Sequence, residues 1–443
     1  MTLDWSALSR TLAGEVVLPD SPEYDSVRRP AIARFEDVRP QAVARCAGLA
    51  DVAEAVTFAR RHDVRVAIRS GGHCFAGRSS TTGLVLDVSR LNAVGVAGDD
   101  MAVVGAGVTL GQLYAELDKD GRTVAAGCGE SVGVSGLALG GGVGILGRRY
   151  GTTSDQMQAA QVVLADGRTV ECSEDGEAEL FWALRGGGIG TFGVVTSLTL
   201  RTVPTPHATA FALTWTNAVG VVDAWQRWAP TAPAELSASV VVHDDPPVAT
   251  VFGAVLTVES EATLLLDALT VRVGTDPVAA SFEYAPFQEA KRALARLSDR
   301  PRPGRNYPLS RSEYFRRPIP PEGVARLVAL VGAGRELDFT PLRGAYDMTP
   351  PHATAYVHRG HDFLLKHEAI VDVGRSEECA RRWLAASART AHPWGSGQAY
   401  QNFPHPDLDV WARPYHGENL ARLRRTKDQY DPADFFQTEG ERS

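Results

Sequence analysis

The pattern of apolar and polar positions in the first two hundred residues predicts short helices and strands in alternation. Residues 41–60 place apolar side chains on one face and predict a helix, with Asp51 in its first turn. Thr109 suits the N-cap of a second helix over 108–117. Short runs rich in β-branched residues predict strands at 64–68, 84–88 and 102–106. This part of the chain therefore reads as a mixed α and β lobe.

The pattern continues with a predicted hairpin over 161–170, whose two strand runs are joined by Asp166 and Gly167. A short amphipathic helix at 179–184 and a strand at 194–200 follow. Two prolines at 204 and 206 then mark a boundary.

The patterning changes beyond that boundary. Strand runs separated by helical stretches predict a second lobe with an antiparallel sheet, the runs being 210–215, 238–242, 250–256 and 363–373. From about 398 the chain returns to aromatic-rich turns and a helix over 418–429. We therefore predict an α+β fold in three segments, 1–205, 206–395 and 396–443.

Composition and charge limit the class of protein. The 443 residues are 44% hydrophobic and 22% charged, which fits a globular protein with a sizeable core. A net charge of -8 argues against a nucleic-acid partner. We expect no membrane span, because no apolar run approaches the required length, and the N-terminal pattern shows no signal peptide. Five scattered cysteines without a CxxC pair predict no disulfide scaffold, no metal site and a cytoplasmic setting.

Glycines concentrate in three clusters, at 70–77, 127–144 and 186–193. Two of them contain GxGxxG, but 142–147 runs into a glycine-broken stretch and 188–193 runs directly into a strand. A Rossmann fingerprint needs a helix after the motif, so neither match predicts nicotinamide binding. Tight corners would explain any one cluster. Three together predict backbone N–H groups that approach an anion or a flat ring closely.

Several stretches of this chain resemble one known family. Residues 69–77 and 84–92 resemble the flavin loop of the PCMH-type FAD-binding domain, of the vanillyl-alcohol-oxidase superfamily. The match extends to the berberine-bridge-enzyme-like and 6-hydroxynicotine-oxidase branch through 132–144, 175–195, 400–402 and 415–432. It is looser over 206–395. The resemblance implies an FAD domain of two α/β subdomains, a substrate domain with a helix-covered antiparallel sheet, and a C-terminal return to the FAD domain.

The resemblance also implies how FAD is held. In this family the histidine of the Gly-Gly-His turn bonds to the flavin 8α-methyl carbon, and His73 matches it. Cys128 lies one place before Gly129, which matches the family's second anchoring cysteine, so we expect a single covalent link. The expected cofactor-binding residues are Arg69, Ser70, Gly71, Gly72, His73, Cys74, Phe75, Ala76, Gly77, Val132, Gly133, Gly136, Gly140, Gly141, Gly142, Gly144, Gly193, Val194, Val195, Asn402 and Tyr415.

The expected activity is oxidation of a CH–OH or CH–N centre of a small, secondary-metabolite or alkaloid-like molecule, with O2 as acceptor. Val132 matches the family position that governs oxygen access, and valine there resembles the oxidases. Tyr400, Glu368 and His358 are the candidate catalytic residues, since a base must take the substrate proton. A carbohydrate oxidase or dehydrogenase, and a non-redox flavin-binding protein or cyclase, are the alternatives. We expect a monomer or homodimer.

Overall fold

The computed structural model describes residues 3–188, 190–298, 304–405 and 407–437. The elements up to residue 204 are, in chain order, α1 (Trp5–Thr11), β1 (Glu15–Val17), α2 (Tyr24–Val27), β2 (Ala42–Arg45), α3 (Leu49–Arg61), β3 (Val66–Arg69), β4 (Leu84–Asp87), β5 (Val94–Ala97), β6 (Met101–Gly105), α4 (Leu110–Asp118), β7 (Arg122–Thr123), α5 (Val134–Leu139), α6 (Gly147–Tyr150), β8 (Met157–Val163), β9 (Thr169–Ser173), α7 (Ala178–Leu184), β10 (Val194–Arg201) and β11 (Val203–Pro204).

The elements after residue 204 are β12 (His207–Trp215), α8 (Ala218–Trp228), β13 (Leu236–His243), β14 (Val248–Val255), α9 (Glu259–Val273), β15 (Ala279–Pro286), α10 (Phe287–Ser298), β16 (Asn306–Phe315), α11 (Pro321–Val328), β17 (Arg335–Pro341), β18 (Phe363–Asp372), α12 (Glu378–Ala391), α13 (Arg413–His416) and α14 (Leu420–Tyr430). The predicted α+β fold is confirmed.

The first lobe contains two main sheets. One has the order β1-β2-β4-β3, with β2, β4 and β3 parallel, and the other is antiparallel in the order β5-β6-β10-β8-β9. The predicted hairpin forms from β8 and β9. Thr109 caps α4 with a capping box, in which its hydroxyl accepts a hydrogen bond from the Gln112 N–H. The largest apolar cluster of this lobe lies between these sheets and their helices, and a smaller one lies around Val43 and Val85 of the parallel strands.

The predicted helix over 41–60 is wrong at its beginning. Residues Ala42–Arg45 form β2, which pairs in parallel with β4, and the helix starts only at Leu49. Ala42, Val43 and Ala44 are all fully buried, as in a strand covered on both faces. Such a strand shows a continuous apolar run, which periodicity alone cannot separate from a helix.

The second lobe is built on a seven-stranded, fully antiparallel sheet with the order β15-β12-β14-β13-β17-β18-β16. One face packs its apolar side chains against α8, α9, α11 and α12. Leu364 of β18 points to the opposite face and packs with Tyr356 and Tyr400 beside the first lobe. One sheet face is therefore directed at the glycine-rich loops.

Buried polar contacts fix the two lobes together. The Arg359 guanidinium forms an ion pair of 2.7 Å with Asp155, and both side chains are almost fully buried. Arg148 donates to backbone carbonyls of the second lobe, including that of Leu342 at 2.6 Å. Removing the Asp155 carboxylate would leave the buried Arg359 charge without its ion-pair partner, which is strongly destabilising.

The segment from residue 399 returns to the first lobe. In α14, Arg422 forms an ion pair with Glu179 of α7, and the buried Lys427 ammonium donates to the Thr191 carbonyl at 2.8 Å. Among the helices of the described ranges, none has both the length and the apolar character needed to span a bilayer.

Candidate active site

A groove between the lobes brings together three separate stretches of chain. We call it the cofactor groove; it is lined by Ile68, Ser70, Gly71, Gly72, His73, Cys74, Phe75, Ser79, Val132, Gly133, Gly136, Leu137, Gln401, Asn402, Phe403 and Pro404. Ten of the residues predicted to bind the cofactor are in this set. The groove is therefore built from the first two glycine clusters and the C-terminal segment.

Glycines make this groove possible at two positions. A Cβ on Gly71 would overlap the backbone nitrogen of Gly133, so the two loops approach more closely than any side chain allows. Gly72 has a φ of +71°, a conformation that favours glycine. By contrast, nothing lies within 4 Å of the place where a Cβ of Gly136 would stand. Gly136 thus leaves open space in the groove wall, as a bound flat molecule requires.

His73 projects from this loop into the groove. Its Nε2 lies 2.9 Å from the Ser131 hydroxyl oxygen, which orients the ring. Burial lowers the pKa of His73. A hydrogen bond with the Ser131 backbone raises it, but by less than burial lowers it. The imidazole is therefore neutral at pH 7, the state in which a ring nitrogen can act as a nucleophile.

A second cavity, of about 710 Å³, adjoins the cofactor groove at Phe403, which lines both. We call it the sheet cavity; the residues that line it are Cys128, Gly129, Glu130, Val143, Gly144, Ile145, Ser237, Ser239, Phe252, Gly253, Lys291, Leu294, Ala295, Arg296, Asp338, Thr340 and Phe403. Its walls combine hydroxyls, charged groups and aromatic rings. A molecule in this cavity would lie beside whatever occupies the groove.

Tyr400 lies at the boundary between groove and cavity. Its hydroxyl oxygen accepts hydrogen bonds, each of 3.0 Å, from the backbone N–H groups of Gly142 and Val143 and from the Asn402 amide. Burial raises the pKa of Tyr400, although the three donors act in the opposite direction. Three N–H donors on one phenolic oxygen would stabilise its ionised form.

Glu368 and His358 are placed differently from Tyr400. The Glu368 carboxylate is bound by the Lys366 ammonium at 3.1 Å. His358 is buried, and its two ring nitrogens lie 3.0 and 3.1 Å from the amide oxygens of Gln398 and Gln401. Burial lowers its pKa to about 4, so it is neutral. None of the three candidate side chains is itself part of the lining of the groove or the sheet cavity. The Tyr400 hydroxyl differs from the other two in bonding to a lining residue of each space, Val143 of the cavity and Asn402 of the groove.

Other expected cofactor residues support the groove from behind. The buried Arg69 guanidinium donates to the carbonyls of Ser79 and Val27 and so ties the flavin loop to its neighbours. The Tyr415 hydroxyl accepts from the His405 N–H at 2.7 Å. Ala76 and Gly77 line an adjoining depression. The remaining expected residues are closely packed by neighbouring groups and do not line the groove. They are Gly140, Gly141, Gly142, Gly193, Val194 and Val195.

Charged groups that the sequence did not single out also face the sheet cavity. Lys291 of α10 holds its ammonium 3.0 Å from the Tyr114 ring centroid and 3.3 Å from the Gly127 carbonyl oxygen. Burial lowers its pKa to about 8, although Cys128 and Glu130 act in the opposite direction. Asp338 of β17 pairs with Lys366. Alternation along β17 and β18 would have placed Asp338 and Lys366 on one face, had the pairing of the two strands been known.

Comparison with known proteins identifies the family. A model described as "FAD binding domain" matches residues 40–173, and one described as "Berberine and berberine like" matches 399–440. YgaK of Bacillus subtilis, named an uncharacterized FAD-linked oxidoreductase, is 30% identical over 97% of this chain and 96% of that protein. The chain belongs to the berberine-bridge-enzyme-like FAD-linked oxidoreductases. The family that the sequence resembled and the predicted class, an FAD-dependent oxidoreductase, are both confirmed.

Relatives of this oxidoreductase act on different molecules. (R)-6-hydroxynicotine oxidase of Paenarthrobacter nicotinovorans is 37% identical over 47% of this chain and 46% of that protein. The grass pollen allergen Phl p 4, described as having glucose dehydrogenase activity, superposes with a TM-score of 0.88 and 26% identity over 98% of each chain. The chain is thus similar both to a 6-hydroxynicotine oxidase and to a protein with glucose dehydrogenase activity.

The residues present fit FAD. The open space at Gly136 and the neutral His73 suit a flat ring with one anchoring point on it. Within the described ranges, no three His, Cys, Asp or Glu side chains lie close enough to hold a metal ion. The oxidoreductase would hold FAD with the flavin loop on one side and residues 132–137 and 401–404 on the other.

Proposed function

We propose that this oxidoreductase is an oxidase that takes a hydride from a CH–OH or CH–N centre of a small molecule, with FAD attached to His73 and O2 as the final acceptor. The observation that supports it is the position of His73, a neutral imidazole oriented by Ser131 on the wall of the cofactor groove. FAD, when bound, supplies the hydride acceptor and the reaction with O2 that releases H2O2. The residues of the chain would position the substrate, accept its proton and control the access of O2.

The substrate is proposed to occupy the sheet cavity, which adjoins the groove at Phe403. Tyr400 is the proposed proton acceptor, because its hydroxyl lies at the Gly142–Val143 turn between the two spaces. The three N–H donors hold the phenolic oxygen in place and stabilise it once it has lost its proton. Loss of a hydride from carbon and of a proton from oxygen or nitrogen together give the carbonyl or imine product.

Val132 supports the choice of oxidase over dehydrogenase. It lines the cofactor groove and is only partly buried, so a small side chain leaves access there. A Phl p 4 variant with an added isoleucine-to-valine substitution is named a glucose oxidase, whereas the variant without it is named a glucose dehydrogenase. In that related enzyme, the change from isoleucine to the smaller valine thus accompanies the change in name from dehydrogenase to oxidase.

Replacing Val132 with leucine is expected to slow reoxidation of the reduced enzyme by O2 by roughly tenfold or more, which corresponds to ~1.4 kcal/mol. The added methylene narrows the groove wall without changing charge. Stopped-flow mixing of the reduced enzyme with O2 measures this rate. Reduction by substrate under anaerobic conditions is the internal control, and it should change far less than reoxidation.

The proposed function is tested by supplying amines, alcohols and sugars to the holoenzyme without oxygen and following the bleaching of the flavin. Any substrate that bleaches it should release H2O2 stoichiometrically when air is admitted. Bleaching without H2O2 release would instead indicate a dehydrogenase. A flavin that no compound bleaches would support the non-redox alternative.

A carbohydrate is the second candidate substrate class. The hydroxyls of Ser237, Ser239 and Thr340 line the sheet cavity, together with the rings of Phe252 and Phe403. Side-chain hydroxyls can bind the hydroxyls of a polyol, and aromatic rings can pack against its carbon skeleton. This lining therefore favours a polyol over an amine-bearing heterocycle. The sugar-named activities of Phl p 4 point in the same direction.

A further inference from the structure

One carboxylate oxygen in the sheet cavity has no hydrogen-bond partner. The Oδ2 atom of Asp338 lies 3.3 Å from the Lys366 ammonium, but Oδ1 is buried and has no donor among the described residues. A buried polar atom of this kind is unusual, because it has lost water without gaining another partner. Asp338 lines the cavity proposed for the substrate, so a ligand there could supply the missing donor.

Neighbouring strands hold the carboxylate in place. Lys366 lies directly across from Asp338 in the β17–β18 register, and its ammonium also binds Glu368 at 3.1 Å. Burial by itself would lower the pKa of Lys366, but the carboxylates of Glu368 and Asp338 raise it overall. Lys366 is therefore a permanent cation that holds one oxygen of Asp338, while the other oxygen has no partner among the described residues.

The surroundings favour a hydroxyl as that partner. Thr340 lies two residues along β17 and so on the same face, and Ser239 and Ser237 contribute hydroxyls from β13. Hydroxyls both donate and accept, which suits a ligand with several hydroxyls. A substrate ammonium at Oδ1 would stand close to the Lys366 ammonium, which is already bound to the same carboxylate, and the two cations would repel.

We propose that Asp338 is the residue that anchors the substrate, by accepting a charge-assisted hydrogen bond from a substrate hydroxyl. The sheet cavity would accordingly take a molecule with several hydroxyls, and Ser237, Ser239 and Thr340 would bind further hydroxyls along the same face. This inference rests on the proposed function only in taking the sheet cavity as the substrate site. It does not require that FAD be reoxidised by O2.

The test measures ligand binding, not turnover. D-glucose, a ligand with several hydroxyls, and benzylamine, a cation without any, are titrated into the oxygen-free holoenzyme by calorimetry and by flavin absorption. The D338N variant keeps the side-chain volume and removes the charge. The matched control is D372N, which removes the charge of an exposed carboxylate at the end of β18, outside the cavity lining. FAD content and melting temperature are recorded for every variant.

We expect glucose to bind to the wild type, and its dissociation constant to rise roughly tenfold or more in D338N, as for loss of a charge-assisted hydrogen bond. D372N should change it by less than roughly threefold, because its carboxylate is exposed and far from the lining. If D338N fails to retain FAD, T340V provides a second variant. It keeps the Asp338 carboxylate and removes a neighbouring hydroxyl, and it should also weaken glucose binding.

Several outcomes would overturn the proposal. Equal glucose binding by D338N and wild type would show that Asp338 does not anchor the sugar. Absence of glucose binding to the wild type would exclude the hydroxyl-rich class that glucose represents. Benzylamine binding that is tighter than glucose binding and is lost in D338N would assign an ammonium as the partner of Oδ1. An enzyme that binds glucose through Asp338 but never releases H2O2 would contradict the oxidase and leave this inference standing.

Discussion

The H73A variant is expected to release all of its flavin when it is precipitated with acid, whereas the wild-type protein remains yellow in the precipitate. The reason is that His73 is the only histidine in the lining of the cofactor groove, and burial keeps its imidazole neutral. Turnover should fall roughly 10- to 100-fold, because the flavin ring loses its fixed position relative to the substrate. Absorption of the precipitate and supernatant, with mass spectrometry of the 69–77 peptide, measures the attachment.

The matched control for H73A is C128A. Cys128 lines the sheet cavity, beside Gly129, and its thiol is free. We expect C128A to keep the flavin attached and its absorption spectrum unchanged. Flavin that stays on the chain in H73A but is lost when C128A is added would establish a second bond and contradict the single link.

The Y400F variant is expected to lower kcat by roughly 10²–10⁴-fold, the range for removal of a general base. Removing the hydroxyl also leaves the N–H groups of Gly142 and Val143 and the Asn402 amide without their acceptor. The free energy of unfolding should fall by about 1–3 kcal/mol as a result. Single-turnover reduction of the flavin and a urea denaturation curve separate the two effects.

The pH dependence of flavin reduction distinguishes a base from a residue that only positions the substrate. Burial raises the pKa of Tyr400, so the proton-accepting form grows as the pH rises through the alkaline range. The reduction rate of the wild type should therefore increase with pH, and this alkaline limb should disappear in Y400F. A limb that persists in Y400F would assign the proton to another group.

Many residues that line the cofactor groove could be picked out from the sequence because they belong to local motifs. Glycines that permit a close approach, such as Gly71 against Gly133, must stay glycine wherever the loops meet, so the loops are visible as clusters. Thr109 at the start of α4 is another local signal, since its capping box involves only Gln112, three residues on. The families matched at 40–173 and 399–440 cover the same loops.

The sheet cavity was not predictable in the same way. Asp338 and Lys366 are 28 residues apart, and they meet only because β17 pairs with β18 in one particular register. An acidic residue on an isolated strand is usually solvated, so nothing local distinguished Asp338 from its neighbours. Glu368 was a candidate base from the sequence, whereas its contact with Lys366 depends on the fold. The helix predicted over 41–60 failed for a related reason, since pairing with β4 decides the state of residues 42–45.

Residues 401–404 of the cofactor groove come from the C-terminal segment, so the groove cannot form until nearly the whole chain has been made. Gln401, Asn402, Phe403 and Pro404 face His73 across the groove, although more than three hundred residues separate them in the chain. During synthesis the histidine leaves the ribosome long before these residues do. The groove is complete only when residues 401–404 are in place, beside the segment whose helix α14 packs on α7. The proposed attachment of flavin to His73 would therefore follow the folding of the second lobe and the docking of α14.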